Sequence, residues 1–162
     1  MKIAVFPGSF DPPTYGHLDI IGRASSIFDQ LHVVVAVNKG KSCLFSVEER
    51  VEMLRSLASP WEGVRVDTWD SLVVDYAKKV GAAALIRGVR NALDFSYEFD
   101  LSLLNRGLAL HVETVFLPAD PRHLALSSTA VKELACFGGD ISSMVPPAVA
   151  ELLLERISMR VM

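Results

Sequence analysis

Four short segments of the chain carry side chains that could bind and transfer a phosphate group. They are Thr14-Tyr15-Gly16-His17, Asn38-Lys39-Gly40-Lys41, Ile86-Arg87-Gly88-Val89-Arg90 and Ser127-Ser128-Thr129. Lysine, arginine, imidazole N–H and backbone N–H groups stabilise the negative charge that develops on phosphate oxygens during phosphoryl or nucleotidyl transfer. These segments therefore predict a phosphate site, provided that the fold brings them together.

Each segment also has an ordinary structural explanation when it is considered alone. His17 can be a polar residue in the first turn of a helix, and Lys41 can be a solvated loop lysine. Arg87 and Arg90 can be partners in surface ion pairs. N-capping explains Ser127 fully but leaves the two residues after it poorly explained. The occurrence of all four segments in one chain favours the functional interpretation.

Two common nucleotide-binding motifs and a side-chain metal centre are not supported by the sequence. Gly40-Lys41-Ser42 imitates the end of a P-loop, but Val35 occupies the position where that motif requires a glycine. No G-x-G-x-x-G follows any predicted strand, and we therefore expect no dinucleotide cofactor. The four histidines show no spacing typical of metal ligands, and we expect none of them to hold a metal.

The segments that must position these residues alternate between short apolar runs and longer stretches with helical spacing, which is typical of βαβ units. Because nearly every residue of the runs is apolar, we expect parallel strands buried on both faces, with helices above and below. Ligands bind beyond the carboxyl ends of such strands, where the phosphate-binding segments stand. Strands are predicted over residues 2–6, 32–37, 64–68, 83–86 and 112–117.

Helices are predicted between and after these strands. Ser46-Val47-Glu48-Glu49 is a capping box that opens one helix, Ser127 can cap another, and Pro146-Pro147 can begin the last. An interruption is expected near Gly107. A single domain over residues 1–162 is expected, with a helical part from about 127 to 158 packed on it. The predicted helices cover residues 18–28, 46–57, 71–79, 94–108, 127–135 and 147–157.

Composition narrows the class of partner. The 162 residues include 16 Lys+Arg against 19 Asp+Glu, a net charge of −3, so there is no general positive field to attract nucleic acid. No apolar stretch approaches the roughly 20 residues of a membrane span. We therefore expect a cytoplasmic protein without a nucleic-acid or membrane partner. The hydrophobic share of 51% permits a subunit interface in addition to a core.

Five motifs occur together in the chain: Gly8-Ser9-Phe10-Asp11-Pro12, Thr14-Tyr15-Gly16-His17, Phe45-Ser46-Val47-Glu48-Glu49-Arg50, Ile86-Arg87-Gly88-Val89-Arg90 and Ser127-Ser128-Thr129-Ala130-Val131-Lys132-Glu133. In this order, over about residues 1–157, they resemble the phosphopantetheine adenylyltransferase family. The T/H-x-G-H element occurs throughout the nucleotidylyltransferase superfamily, whereas Ile-Arg-Gly-x-Arg followed by a serine-rich helix start is specific to the pantetheine branch.

The resemblance implies a fold and a reaction. The fold is a Rossmann-like, doubly wound, five-stranded parallel sheet with helices on both faces. The reaction is transfer of AMP from ATP to 4′-phosphopantetheine, which gives dephospho-coenzyme A and pyrophosphate by direct in-line attack without a covalent intermediate. It also implies Mg²⁺ carried mainly by phosphates and water, a homohexamer, and coenzyme A as a feedback inhibitor.

The same resemblance implies roles for particular residues. His17 and Lys41 would be catalytic, and Ser9, Lys41, Val73 and Arg87 would bind phosphopantetheine. Arg90 and the 127–129 turn would hold the leaving pyrophosphate. Ser9 replaces the threonine commoner in the family, and His123 stands where the family usually has tryptophan. The ATP-binding residues would be Ser9, Phe10, His17, Gly88, Val89, Arg90, Glu98, His123, Leu124, Ala125, Leu126, Ser127, Ser128 and Thr129.

Two alternative functions remain open at this point. One is another nucleotidylyltransferase, such as an enzyme that acts on nicotinamide mononucleotide. The other is a non-catalytic nucleotide-binding module of similar topology, resembling the universal stress proteins. Lys41 and Arg87 count against the second alternative, because a protein that binds only ATP has little use for a second phosphate site.

Overall fold

Five parallel strands form the central sheet of the protein. They are β1 (Ile3–Gly8), β2 (Gln30–Ala36), β3 (Val64–Trp69), β4 (Ala84–Val89) and β5 (Glu113–Pro118). Every neighbouring pair is parallel, in the order β3-β2-β1-β4-β5. The chain therefore winds outward from β1 in one direction and then in the other, which confirms the predicted doubly wound sheet.

The computed structural model describes residues 1–38, 40 and 42–161. Helices connect the strands, and two further helices follow the sheet. They are α1 (Tyr15–Ile27), α2 (Val47–Ala58), α3 (Val73–Val80), α4 (Ala92–Leu108), α5 (Ser128–Cys136) and α6 (Pro147–Val161), with a short 3-10 helix at Pro121–His123. None of these helices is both long and apolar enough to cross a lipid bilayer.

Helix boundaries follow the predicted capping residues in most cases. Ser46 accepts a hydrogen bond from the N–H of Glu49 while the Glu49 carboxylate accepts from the N–H of Ser46, so the predicted capping box is confirmed. Ser127 caps α5 through the N–H of Ala130. The helix predicted to break near Gly107 ends at Leu108, one residue later.

Alternate residues of each central strand pack against opposite faces of the sheet. On one face, Phe6 and Ile86 join a cluster with Ile21 of α1 and Leu54 of α2. On the other face, Val5, Val34 and Leu85 pack against Val74 and Tyr76 of α3. Because both faces are covered, β1, β2 and β4 have mostly apolar sequences, and the predicted helices on both faces are confirmed. The edge strands β3 and β5 are instead mostly exposed or partly buried, so the expectation that every strand is buried on both faces is wrong for these two.

The last two helices form a third apolar cluster away from the sheet. Val131 of α5 and Val149 and Leu153 of α6 pack against Phe45 and Met53. Phe45 precedes α2 and Met53 lies on it. This cluster fixes the start of α5 near the carboxyl edge of the sheet.

The helix α4 differs from the other helices because none of its residues is buried. Leu93 is 83% exposed and Leu104 is 66% exposed, and Phe95, Tyr97, Phe99, Leu103 and Leu108 are exposed as well. An apolar surface of this extent is uncommon on a monomer.

Candidate active site

A cavity of about 560 Å³ lies at the carboxyl ends of β1 and β4. The strand order reverses between these two strands, and open parallel sheets bind ligands at such a reversal. The loop after β1, the start of α1, the end of β4, the inner side of α4 and the start of α5 all contribute to the lining. The cavity therefore collects residues from segments that are far apart in the sequence.

The cavity brings together most of the predicted site residues. Those that line it are Ser9, Phe10, His17, Arg87, Gly88, Arg90, Glu98, His123, Leu126, Ser127, Ser128 and Thr129. The predicted catalytic residue Lys41 lies outside the described residues.

Four predicted residues do not line this cavity. Val73 begins α3 and packs against the core on the other face of the sheet. The carbonyl of Val89 accepts a hydrogen bond from the N–H of Ala119, which joins the ends of β4 and β5. Leu124 and Ala125 are exposed beyond the 3-10 helix.

The loop after β1 is tightly packed. Phe10 has a positive φ of 49°, and its buried ring turns back over β1, so a Cβ at Gly8 would lie 2.9 Å from it. Glycine is therefore needed at that position. Nη1 of the buried Arg50 donates to the carbonyl of Ser9 at 2.7 Å. Together these contacts fix the positions of Ser9 and Phe10 in the cavity wall.

Asp11 links three separate parts of the cavity wall. Its carboxylate, in a residue only 2% exposed, accepts from the N–H groups of Leu44 and Phe45. It also accepts from Nζ of Lys132 on α5 at 2.8 Å. Burial alone would raise the pKa of this carboxyl, but Lys132 and the two N–H groups outweigh it, and the net pKa is lowered. Asp11 is therefore ionised and holds the β1 loop to α5.

His17 is held at the start of α1 by a capping box. The N–H of Thr14 donates to His17 Nδ1 at 3.0 Å, and the N–H of His17 donates to the Thr14 hydroxyl at 3.3 Å. The edge of the ring packs against Phe10, with 4.9 Å between centroids. Because a backbone N–H can only donate, Nδ1 must be the acceptor, and in the neutral ring the proton is on Nε2.

The neutral form of His17 is the favoured one. Burial, together with the nearby Arg90 guanidinium, lowers the pKa of its imidazole to about 4. The ring is half-buried and lines the cavity, so its Nε2–H remains available to a ligand. His17 can therefore donate a hydrogen bond at neutral pH, but it carries no proton that a general acid would release at that pH.

The two cavity arginines are paired with different carboxylates of α4. Arg90 donates to Asp94 from Nε at 2.7 Å and from Nη2 at 3.2 Å, and its Nη1 donates to the carbonyl of Leu126 at 3.0 Å. Nε of Arg87 lies 3.1 Å from Oε2 of Glu98. That contact lacks hydrogen-bond geometry, and among the described residues the buried Oε2 accepts no hydrogen bond.

The start of α5 is also fixed by its hydroxyl groups. The Ser127 hydroxyl caps the helix, and the Ser128 hydroxyl donates to the carbonyl of Pro12 at 2.8 Å. Both hydroxyls therefore have structural roles. The N–H groups in a first helical turn have no acceptor within the helix, and Ser128 and Thr129 line the cavity. Backbone N–H groups at this position suit an anion.

The chain matches the cytidylyltransferase-like family over residues 5–134. It is 54% identical over 155 residues to the phosphopantetheine adenylyltransferase of Treponema pallidum, covering 96% of this chain and 98% of that protein. It is 50% identical to the protein of that name from Caldanaerobacter subterraneus, with the same coverage. The Streptomyces coelicolor protein is 46% identical over 99% of this chain and its full length. The chain belongs to the phosphopantetheine adenylyltransferase family.

This result confirms the resemblance found in the sequence. The fold also agrees with a solved structure from Vibrio parahaemolyticus assigned as a nicotinate-nucleotide adenylyltransferase, with a TM-score of 0.74 and coverage of 97% of this chain and 95% of the other. At 20% identity that likeness shows the Rossmann-like nucleotidyltransferase fold alone.

One position at which this member of the phosphopantetheine adenylyltransferase family departs from the usual pattern lies on the cavity wall. His123 stacks on Tyr15, with 6.5 Å between ring centroids and an interplanar angle of 18°. Its Nδ1 is buried and has no hydrogen-bond partner among the described residues. The histidine thus keeps a planar ring with a ring nitrogen at the position where the resemblance implies tryptophan.

Several residues of the cavity were not predicted as site residues. Asp11 and Lys132 lie within the quoted motifs, but nothing local in the sequence pairs positions that are 121 residues apart. Asp94 could not have been found from helical spacing either, because Arg90 lies before the N-cap of α4, outside the helix. Arg50 could not have been found in this way, because its acceptor is a backbone carbonyl in another loop.

The cavity contains few groups that could hold a metal ion. Asp11, Asp94 and Glu98 are its carboxylates, and each is paired with a cation. Within the part of the chain that the structure describes, no group of three His, Cys, Asp or Glu residues has a metal-binding arrangement. Magnesium generally keeps several waters and binds substrate phosphates, which fits a cavity of this composition.

Proposed function

We propose that the protein transfers the adenylyl group of ATP to 4′-phosphopantetheine, giving dephospho-coenzyme A and pyrophosphate. The observation that carries this proposal is that one cavity contains several separate phosphate-binding groups. Arg87 lies at the end of β4, and the first turns of α1 and α5 present His17 and backbone N–H groups. A reaction between two phosphorylated substrates needs more than one such group. The names of the 46–54% identical relatives support the same reaction.

The acceptor needs no general base. A phosphomonoester is already anionic at neutral pH, and its oxygen attacks the α-phosphorus of ATP directly. A bond forms between that oxygen and the α-phosphorus, while the bond from the α-phosphorus to the bridging oxygen breaks. The electron pair leaves with pyrophosphate. The protein therefore contributes positioning and charge stabilisation.

The neutral His17 suits this role. Its Nε2–H can donate to a non-bridging oxygen of the α-phosphate, where negative charge increases in the transition state. Gly16 beside it has room for a Cβ, because the nearest atoms would lie 3.5 Å or more away. The protein itself does not require glycine there, and close approach of a phosphate explains it better.

The remaining groups are assigned by location. Arg87 would hold the acceptor phosphate, and the N–H groups at the start of α5 would hold the pyrophosphate portion of ATP. Arg90, whose guanidinium forms three hydrogen bonds with Asp94 and Leu126, would mainly position β4 and α5 rather than bind phosphate in a bidentate manner. Lys41 is proposed as a second cation for the acceptor and α-phosphates.

We propose Mg²⁺ as the cofactor, carried mainly by the phosphates of ATP and by water. When bound, it would neutralise charge on the triphosphate. The carboxylates in the cavity are already paired with Lys132, Arg90 and Arg87, so the ion would depend on substrate oxygens.

The proposed reaction is tested by supplying ATP and Mg²⁺ with either 4′-phosphopantetheine or nicotinamide mononucleotide. We expect pyrophosphate and dephospho-coenzyme A with the first acceptor and only background with the second. The reverse preference would identify the alternative transferase. If ATP binds in a titration but neither acceptor gives pyrophosphate, the protein is a nucleotide-binding module.

We further propose that the protein works in the cytoplasm as a homohexamer. The exposed apolar side chains of α4 support association of copies, since burying them would remove a large apolar area from water. Coenzyme A is proposed as a feedback inhibitor, because it contains both the adenylate and the phosphopantetheine portions of the product. Light scattering would give the number of subunits, and coenzyme A should inhibit competitively with phosphopantetheine.

A further inference from the structure

The pair formed by Arg87 and Glu98 differs from the other ion pair of the cavity. The guanidinium of Arg90 forms two hydrogen bonds with Asp94 and a third with the carbonyl of Leu126. Arg87 and Glu98 are held by charge at 3.1 Å without a hydrogen bond. A charge-assisted hydrogen bond is shorter and stronger than such a contact, so Glu98 is the carboxylate that can be displaced more easily.

Displacement of Glu98 would expose the main cation for an acceptor phosphate. The side chains of Arg87 and Glu98 are only 19% and 20% exposed, and both line the cavity. An anion that approaches Arg87 therefore meets a carboxylate already in place. It must compete with that carboxylate for the guanidinium and also bear the repulsion between two negative charges.

Every anion that binds Arg87 must overcome the cost of this competition, but the effect on its affinity depends on how many other contacts the anion makes. Inorganic phosphate has only its own contacts with which to offset that cost. A phosphate attached to a longer molecule has the contacts of the rest of the molecule in addition. At equal concentrations, the same cost can leave the larger ligand bound and the free anion unbound.

We propose that Glu98 is an internal competitor for Arg87, which keeps small free anions out of the cavity until a phosphorylated acceptor displaces it. The identity of that acceptor rests on the proposed function, whereas the competition between Glu98 and free anions does not. Glu98 is thus a specificity-determining residue, in addition to any contact it makes with ATP.

The test measures binding of inorganic phosphate to the full chain by ³¹P NMR titration, without ATP or acceptor. Glu98→Gln keeps the size of the side chain and removes its charge. We expect this variant to bind phosphate about two- to fivefold more tightly, as appropriate for a partly exposed ion pair. Glu98→Asp keeps the charge and is expected to remain within about twofold of the unmodified chain.

A matched control uses an arginine–glutamate pair outside the cavity. Nη1 of Arg106 lies 3.2 Å from Glu113, whose side chain is 59% exposed. Glu113→Gln makes the same chemical change and should leave phosphate binding unaltered. A thermal unfolding scan of each variant confirms that it is folded.

The Arg87→Gln variant shows whether the effect of Glu98→Gln depends on Arg87. In Arg87→Gln, the further change Glu98→Gln should tighten phosphate binding less than it does when Arg87 is present, because only the repulsion by the carboxylate is then removed. The proposal is overturned if Glu98→Gln alone leaves the affinity unchanged, or if it tightens binding equally when Arg87 is absent. Because neither substrate is used, failure to form dephospho-coenzyme A would reject the proposed reaction without altering this result.

Discussion

The two walls of the cavity are built in different ways. The first wall consists of the β1 loop and the starts of α1 and α5, and its polar groups Asp11 and Thr14 are buried and hydrogen-bonded. The buried Arg50 of α2 supports this wall by donating to the carbonyl of Ser9. The second wall consists of the end of β4 and the helix α4. No residue of α4 is buried, and the ion pair between Arg87 and Glu98 forms without a hydrogen bond.

The difference indicates that the two walls have different functions in binding and catalysis. Donors that are fixed before the substrate arrives need no reorganisation in the transition state, and the first wall meets this requirement for His17. The second wall contains charge that a ligand can rearrange and an apolar surface that a second copy can cover. We therefore expect changes in the first wall to affect stability or chemistry, and changes in the second to affect ligand selection or assembly.

The largest effect is expected from Asp11→Ala. The change removes the acceptor of Lys132 Nζ and of the backbone N–H groups of Leu44 and Phe45. Breaking a buried ion pair in this way costs about 3–5 kcal/mol. Urea unfolding followed by circular dichroism measures the loss. A loss below about 1 kcal/mol, the level of a surface pair, would show that the first wall does not depend on this residue.

Next in size is the effect of His17→Ala on the reaction. Removing one preorganised donor costs about 2.7–4 kcal/mol, or a factor of about 10²–10³ in kcat. Affinity for ATP should change little, because the donor acts mainly in the transition state. Steady-state kinetics and ATP titration measure the two quantities. Loss of ATP affinity with kcat intact would refute this role.

A matched control for that experiment is His111→Ala. His111 is exposed and precedes β5, at the opposite edge of the sheet. Its removal should leave kcat near that of the unmodified enzyme.

A smaller effect is expected from a change of pH on kcat and on the free energy of unfolding. The neutral imidazole of His17 is the active donor, and its pKa is lowered to about 4, so kcat should show no inflection from His17 near pH 6.5. In the unfolded chain the ring takes up a proton near its ordinary pKa of about 6.5. The stability that His17 contributes is therefore present above that value and is lost as the pH falls toward 4.

The pH dependence is measured by a pH–rate profile and by NMR titration of the His17 ring. The free energy of unfolding of His17→Ala should vary less with pH over the same interval. An inflection near pH 6.5 that disappears in His17→Ala would contradict the neutral-donor role.

The smallest effect on the stability of the single chain is expected from Leu104→Glu in the second wall. Leu104 is exposed on α4, and substitutions at such positions usually change stability by less than about 0.5 kcal/mol. Light scattering should nevertheless show dissociation of the assembly. Leu154→Glu on the surface of α6 is the matched control and should leave the assembly intact. If neither variant dissociates, α4 is excluded as the interface.

Much of the fold could be predicted from local patterns. The apolar runs of β1, β2 and β4 indicate buried parallel strands, and Ser46 and Ser127 mark helix starts through their capping chemistry. Strand ends were predicted less well. β1 extends to Gly8 because Pro7 and Gly8 continue the pairing with β2, although neither residue favours a strand.

The candidate site was predicted in part for a similar reason. His17 and Ser128 lie at helix starts, where parallel sheets place ligands. Arg87, predicted to follow its strand, lies instead within the carboxyl-terminal half of β4, because β4 extends to Val89. The supporting contacts of Asp11 with Lys132 and of Arg50 with the carbonyl of Ser9 were not predicted. Each joins segments that are distant in the chain, and no periodicity or capping rule relates them.

The sequence by itself determined the types of group available, the order of the elements and the edge of the sheet at which those groups would lie. Only the tertiary structure decided which of the groups are free to meet a ligand. Arg90 and Arg87 have the same side chain and stand three positions apart, yet one is held by three hydrogen bonds and the other by charge alone. That difference depends on where α4 places its carboxylates in space, which residue identity and spacing do not specify.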